Sequence, residues 1–295
     1  MLVSLEITRE DVAAFARDGF LIRDRIIDKT TVDRLRDAME RSFQGECETG
    51  LMPDEVNWKP GDDPHVTRQI CNVWKSNRTL ASIILSEAIG RATATLNGWP
   101  GARIAQDNLL HKPPASGGTP GGSLGMHQDS AYAGWAAPRL MCTVWIALDD
   151  VTRTGGTMEF ARGSHLWGAS SPIEAFHNPE DYQSDFRRAA CAANVPYPDM
   201  VAVEVPAGGG SIHHGWLWHG SGPNATRNPR RSVVRHSPAK RDSPATLDMS
   251  IRGTSGSEPT LWIPRSFRSS GAMGKVALSS LTPTRVRTSP GMPLE

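Results

Sequence analysis

His127, Asp129 and His219 carry the most definite chemistry in the chain. His127-Gln128-Asp129 places an imidazole and a carboxylate two residues apart, so on an extended strand both side chains leave the same face and one cation could accept both. An isolated pair of this kind says little, because composition alone yields roughly half a pair by chance in a chain with nine histidines, and a surface ion pair explains it equally well. His219, in the segment HGWLWHGSGPNATRNPRR, supplies a third donor. Two imidazole nitrogens and one carboxylate oxygen make a facial set that leaves three coordination positions open, the set used by non-haem Fe(II) oxygenases. His213 and His214 compete for the third place, although only one of two adjacent strand residues can face inward. Arg230 follows His219 by eleven residues, beyond a Gly-Pro-Asn turn, and its planar guanidinium could grip a cosubstrate carboxylate with two parallel hydrogen bonds.

Positioning such a site falls to the second half of the chain. From about Arg103 short apolar runs alternate with Gly, Pro and Asp (IAQDNLL, LMCTVWIAL, TMEFA, MVAVEV, GSIHHGWLW, RSVVRHS), which predicts strands at all-β spacing. Helices come first: Thr8-Arg9-Glu10-Asp11 and Thr30-Thr31-Val32-Asp33 both fit the capping box, with Phe20-Leu21-Ile22 as a strand-like link, and a third helix is expected from about Thr79 to Leu96, stopped by Asn97-Gly98. The reading is one domain over 1–295: a mainly helical part at 1–100, a barrel core at 103–240 with a lid-like insertion at 167–198, and an extended or lid-like tail at 241–295. Formal net charge is +1, which argues against nucleic acid or an anionic membrane as partner. No apolar run is long enough to span a bilayer and the N-terminus turns acidic too early for a signal peptide, so a cytoplasmic protein is expected. Four widely spaced cysteines without a CxxC pair read as reduced thiols.

Taken together, FARDGFLIRD, LLHKPP, MHQDSAY, VWIALDDVTRTGG, ARGSH and HGSGPNATRNPRR stand in the order found in the phytanoyl-CoA dioxygenase family of Fe(II)/2-oxoglutarate oxygenases, and the chain resembles that family over roughly residues 8–240. The resemblance implies a mainly β fold with flanking helices, a double-stranded β-helix (jelly-roll, cupin-like) barrel with N-terminal helices. It implies Fe(II) on His127, Asp129 and His219, 2-oxoglutarate clamped by Arg230 and supported by Ser221, and Asn108 and Trp145 lining the same cosubstrate pocket. Spacing to Arg230 then favours His219 over His213 and His214. The family usually has Pro before Gly-Ser-His, where this chain has Arg162.

The expected activity is oxidation, by hydroxylation or otherwise, of a C–H bond in a small organic molecule of secondary-metabolite type. O2 is consumed and 2-oxoglutarate is decarboxylated to succinate. A non-catalytic cupin-like metal-binding or sensor protein is the rival from another class, and it would not need Ser221 and Arg230 in register with His219. An iron halogenase would need a small residue where Asp129 stands. The C-terminus lacks a peroxisomal tripeptide, which favours the cytoplasm, and a monomer or homodimer is expected. His165 reads equally as a turn residue or as part of the site mouth. Tyr132, Trp135, Trp216 and Trp218 could wall a cleft, with core packing favoured for Trp216 and Trp218. Arg231 is expected to face solvent, and Asp149 and Asp150 to shape a turn.

Overall fold

Alternation with a period of two governs the second half, and it separates a helix-facing layer from an inner one. A computed structural model describes residues 5–136 and 138–240; the expected tail at 241–295 lies outside the described residues. The strands are β1 (Phe20–Arg23), β2 (Glu55–Val56), β3 (Arg68–Cys71), β4 (Gln106–Lys112), β5 (Leu124–His127), β6 (Met141–Ala147), β7 (Glu159–Ala161), β8 (Met200–Ala202), β9 (Gly210–His214), β10 (His219–Ser221) and β11 (Arg230–Pro238). They form two antiparallel sheets, ordered β1-β9-β6-β11-β4-β3-β2 and β5-β10-β7-β8. The sheets share an apolar interior in which Leu110, Trp145 and Val234 of the large sheet meet Leu124, Met126 and Phe160 of the small one. The fold is a mainly β jelly roll with flanking helices.

The helices α1 (Arg9–Asp18), α2 (Lys29–Phe43), α3 (Arg78–Ile84) and α4 (Glu87–Asn97) cover the outer face of the large sheet. Leu109, Val144, Ile146, Ile212 and Val233 project outward to meet Leu35, Met39, Leu80 and Ile84. The capping box at Thr8 and Asp11 forms as the sequence suggests. The second does not: α2 starts two residues earlier, and the Asp28 carboxylate accepts from Thr31 N at 2.7 Å. The single helix expected over 79–96 is two helices, because Ser86 caps a new N-terminus through Ile89 N while its carbonyl accepts from Arg235 Nη1 at 2.9 Å. Besides its four helices, the N-terminal part contributes the strand-like link as β1, together with β2 and β3, to the large sheet.

Asp107 of β4 is fully buried and accepts from the backbone N–H groups of Val73 (3.1 Å) and Trp74 (3.4 Å), tying the segment before α3 to the sheet. Burial outweighs these hydrogen bonds and pushes its carboxyl up to about 7. A carboxyl raised in the folded state contributes most below the unfolded value near 3.8, and that contribution is lost as pH rises toward about 7. The melting temperature of the wild type is therefore expected to fall relative to that of Asp107→Asn as pH rises from about 4 to about 8. Thermal denaturation across that window checks it, and a difference independent of pH contradicts it.

Candidate metal centre

Cross-strand pairing between β5 and β10 sets His127 directly opposite His219, with ring centroids 4.2 Å apart. Asp129 does not continue the strand as the spacing suggests. β5 ends at His127, and Asp129 opens a 3₁₀ turn over Asp129–Tyr132. Between them Gln128 is fully buried; its amide donates to the carbonyls of Gly168 (3.1 Å) and Trp216 (2.6 Å) and its carbonyl accepts from Ser170 N, so it holds the chain at the bend. The turn still delivers the carboxylate to the imidazoles. Ligand atoms of His127, Asp129 and His219 lie within 4.8 Å of one another.

Proton placement follows from the hydrogen bonds. His127 Nδ1 is 2.8 Å from Gly125 O and His219 Nδ1 is 2.9 Å from Leu217 O; a carbonyl only accepts, so each Nδ1 carries the proton and each Nε2 presents its lone pair. Both Nε2 atoms face Asp129 Oδ1, at 3.4 and 3.5 Å. Burial holds the His219 imidazole uncharged, well below its usual range. Burial alone would raise the Asp129 carboxyl, but the imidazoles of His219, His236, His127 and His213 that converge on it outweigh burial and hold it well below its usual range, so it is ionised. Two neutral imidazoles and one carboxylate suit a divalent cation of borderline hardness. Asp129 Oδ2 is occupied separately, accepting from Thr143 Oγ1 at 2.5 Å.

The same cavity reaches Trp145, Ser221 and Arg230. Arg230 is 3% exposed and lies over the Trp145 ring at 4.9 Å, yet its Nε and Nη1 have no partner among the described residues. Burial lowers its pKa to about 10. Opposite it in strand register is Lys112, also fully buried, whose ammonium donates to Ser221 Oγ (2.7 Å), Ser221 O (3.2 Å) and Gly222 O (2.5 Å). The Lys112 N–H groups are all spent on Ser221 and Gly222, whereas Arg230, buried in the cavity without a carboxylate in contact, could accept an anion such as the dicarboxylate 2-oxoglutarate. Asn108 lines the cavity too, but its amide is engaged by His236, Gln69 and Gln106.

His213 faces inward, fully buried, with Nε2 3.3 Å from Asp129 Oδ2, whereas His214 turns outward toward Phe15 and His165. His165 leaves the site: its Nε2 donates to Ala16 O of α1 at 3.2 Å. The insertion covers the centre, packing Phe176 on His127 at 4.7 Å and donating Ile173 N to Tyr132 Oη. Trp218 belongs to the core and Trp135 is largely exposed. Arg231 is not solvent-facing; it grips Asp149 with Nε (3.0 Å) and Nη2 (2.8 Å) and reaches Glu40 of α2. Asp149 is thereby an anchor between sheet and helix, while Asp150 accepts from Ala207 N. Thr143 and His236 escape a motif search, but alternation finds them, and Lys112 stands in the LLHKPP motif without a role being read from it. His236 shares a face with Arg230, and Thr143 with Trp145.

A jelly roll with two imidazoles and a carboxylate at one end, and a buried cationic pocket behind them, is the architecture of non-haem Fe(II)/2-oxoglutarate-dependent oxygenases. The chain belongs to the phytanoyl-CoA dioxygenase family, whose model matches residues 15–232. The human peroxisomal phytanoyl-CoA dioxygenase is 22% identical over 244 residues, covering 78% of this chain and 68% of that protein. A probable phytanoyl-CoA dioxygenase of Caenorhabditis elegans is 28% identical over 138 residues, 43% of this chain and 40% of its own length. Among solved structures, the non-haem α-ketoglutarate-dependent carbocyclase SnoK from nogalamycin biosynthesis superposes with a TM-score of 0.61 at 24% identity, covering 79% of this chain and 85% of its own. EctD from S. alaskensis, solved with 2-oxoglutarate and 5-hydroxyectoine, does so with a TM-score of 0.61 at 20% identity, covering 79% and 76%.

Replacing His127, Asp129 or His219 with Ala is expected to abolish stoichiometric Fe(II) binding with the fold intact, whereas His213→Ala should keep it. Anaerobic metal analysis of the four variants decides. Iron retained by His219→Ala and lost from His213→Ala would give the third place to His213.

Proposed function

We propose that the chain oxidises a C–H bond of a small organic molecule of secondary-metabolite type, with Fe(II) held by His127, Asp129 and His219 and 2-oxoglutarate held by Arg230 and Ser221. One observation carries the reading: a guanidinium buried in the same cavity as the three donors, two of whose nitrogens have no partner among the described residues. A buried unpaired donor costs free energy unless a ligand accepts from it. A structural zinc site or sensor would give Arg230 no such reason to be there. When bound, iron and 2-oxoglutarate supply the activation of O2, so that 2-oxoglutarate, O2 and substrate C–H become succinate, CO2 and C–OH.

The protein supplies placement. His127 and His219 offer Nε2 lone pairs because their Nδ1 protons are bound to carbonyls. Arg230 presents parallel N–H groups to the distal carboxylate, and the Trp145 face keeps the fork in place. Ser221 Oγ already accepts from Lys112, so its own proton is free to be donated to that carboxylate. Phe176 and Ile173 exclude water from the donor set. Asp129 supports oxygenation over halogenation, since its negative charge disfavours a halide in its place. Among the described residues no helix is long and apolar enough to cross a membrane. We place the reaction in the cytoplasm, a reading the four free cysteines support.

Succinate released from 2-oxoglutarate in the presence of Fe(II) and O2 tests the activity, and its absence with every candidate substrate and without substrate contradicts it. Arg230→Ala should raise the KM for 2-oxoglutarate by about 10²-fold or more and leave Fe(II) affinity unchanged. Steady-state kinetics against 2-oxoglutarate checks this, and an unchanged KM refutes Arg230 as the clamp. With ¹⁸O2 the product should carry one labelled oxygen by mass spectrometry; a chlorinated product would refute oxygenation.

A further inference from the structure

Asp129 Oδ2, the oxygen turned away from His127 and His219, is the end point of a hydrogen-bonded chain that crosses the inner face of the large sheet. Thr143 Oγ1 bonds it at 2.5 Å, His236 Nδ1 is 2.9 Å from Thr143 Oγ1, and Asn108 Nδ2 is 3.1 Å from His236 Nε2. Gln69 Nε2 approaches Asn108 Oδ1 at 3.4 Å, the longest link, and Gln106 Nε2 joins the same oxygen at 3.0 Å. His177 Nε2 closes the chain on Gln69 Oε1 at 2.7 Å.

Chemistry at one end dictates the polarity of the whole. An ionised carboxylate only accepts, so Thr143 must donate to Asp129 and accept from His236. His236 then carries its proton on Nδ1 and accepts at Nε2 from the Asn108 amide nitrogen. Asn108 is left with its carbonyl toward Gln69 and Gln106, both of which present amide nitrogens there, and Gln69 is left with its carbonyl toward His177, which donates. Every link agrees with a single direction, although five side chains on four separate segments of chain must be oriented to achieve it. Those segments are β3, β4, β6 and β11 of the large sheet, and His177 belongs to the insertion.

We propose that Thr143 and His236 are positioning residues that hold Asp129 to present Oδ1 alone to the metal, and that the chain through Asn108 and Gln69 makes metal affinity depend on the docking of the insertion at His177. The proposal rests on the metal reading of the triad. Without the Thr143 proton, Oδ2 is a buried acceptor free to turn toward the cation. Without His236, the Thr143 hydroxyl loses the donor that aims its proton at Asp129. The insertion is also attached to β5 and the turn after it, through Gly125 N to Phe176 O (2.9 Å), Asn178 N to Ser123 O (3.0 Å), Ile173 N to Tyr132 Oη and Gln128 with Gly168 and Ser170, while His177 provides the side-chain link to the large-sheet wall.

Anaerobic Co(II) binding by the full-length protein, measured by chelator competition together with the visible Co(II) absorption, tests this without turnover. Thr143→Val and His236→Phe should bind Co(II) about 10- to 100-fold more weakly and with an altered spectrum. Thr143→Ser and His236→Asn, which restore a hydroxyl and an N–H donor, should return most of the affinity and the wild-type spectrum. His177→Phe should weaken binding by a smaller, several-fold factor. Wild-type affinity and spectrum in Thr143→Val and His236→Phe, with melting temperatures showing both folded, would overturn the proposal. Unchanged binding in His177→Phe alone would overturn the link to the insertion and leave the two positioning residues. A wild type that binds no Co(II) would instead overturn the metal reading, and with it everything built on it.

Discussion

Asp129 is an ionised carboxylate buried inside an apolar fold, and a charge in that position is tolerable only if its surroundings compensate it. Four imidazoles stand within 3.5 Å of its two oxygens, and burial keeps at least His219 and His213 from supplying positive charge. Hydrogen bonding handles Oδ2. Oδ1 faces two lone pairs, an arrangement that is repulsive on its own and becomes favourable when a cation lies among the three. The rest of the structure reads as the means of keeping that cluster together: β5 pairs with β10, Gln128 holds the bend, and the insertion seals the outside.

The same logic applies at the other end of the cavity with the sign reversed. Arg230 and Lys112 face each other across β11 and β4, and neither touches a carboxylate, while the neighbouring Arg231 is fully neutralised by Asp149 and Glu40. Two adjacent arginines on one strand thus have opposite fates because alternate residues face opposite sides. The outward one ties sheet to helix. The inward one is kept for a ligand. On the proposed function, an anion spanning from the metal ligands to Arg230 would satisfy both ends of the cavity at once, which a metal alone would not.

The strands of the second half are legible in the sequence as short apolar runs bounded by Gly, Pro and Asp, although β6, buried at every position between helices and small sheet, leaves no alternation to read. His127, Asp129 and His219 are legible as types at a spacing, though the continuous strand that the spacing of His127 and Asp129 suggests is not the geometry that joins them. A 3₁₀ turn does so, and its cause is a glutamine bonded to Gly168 and Trp216, contacts that no local pattern records. The break between α3 and α4 is hidden for the same reason, since the Ser86 carbonyl is claimed by an arginine 149 residues away. Short strands such as β2 and β3 escape because so few residues leave little periodicity. Lys112 escapes because a buried lysine looks in sequence like any surface lysine until its partners are known.

The central claim is that the cation is held by two imidazoles and one carboxylate, with His213 and His236 close by but not bound to it. X-ray absorption of the anaerobic Fe(II)-loaded protein reads the number of imidazoles around the iron directly. Two imidazoles with the remaining positions filled by oxygen is the predicted result; three or four imidazoles, or none, would contradict the account.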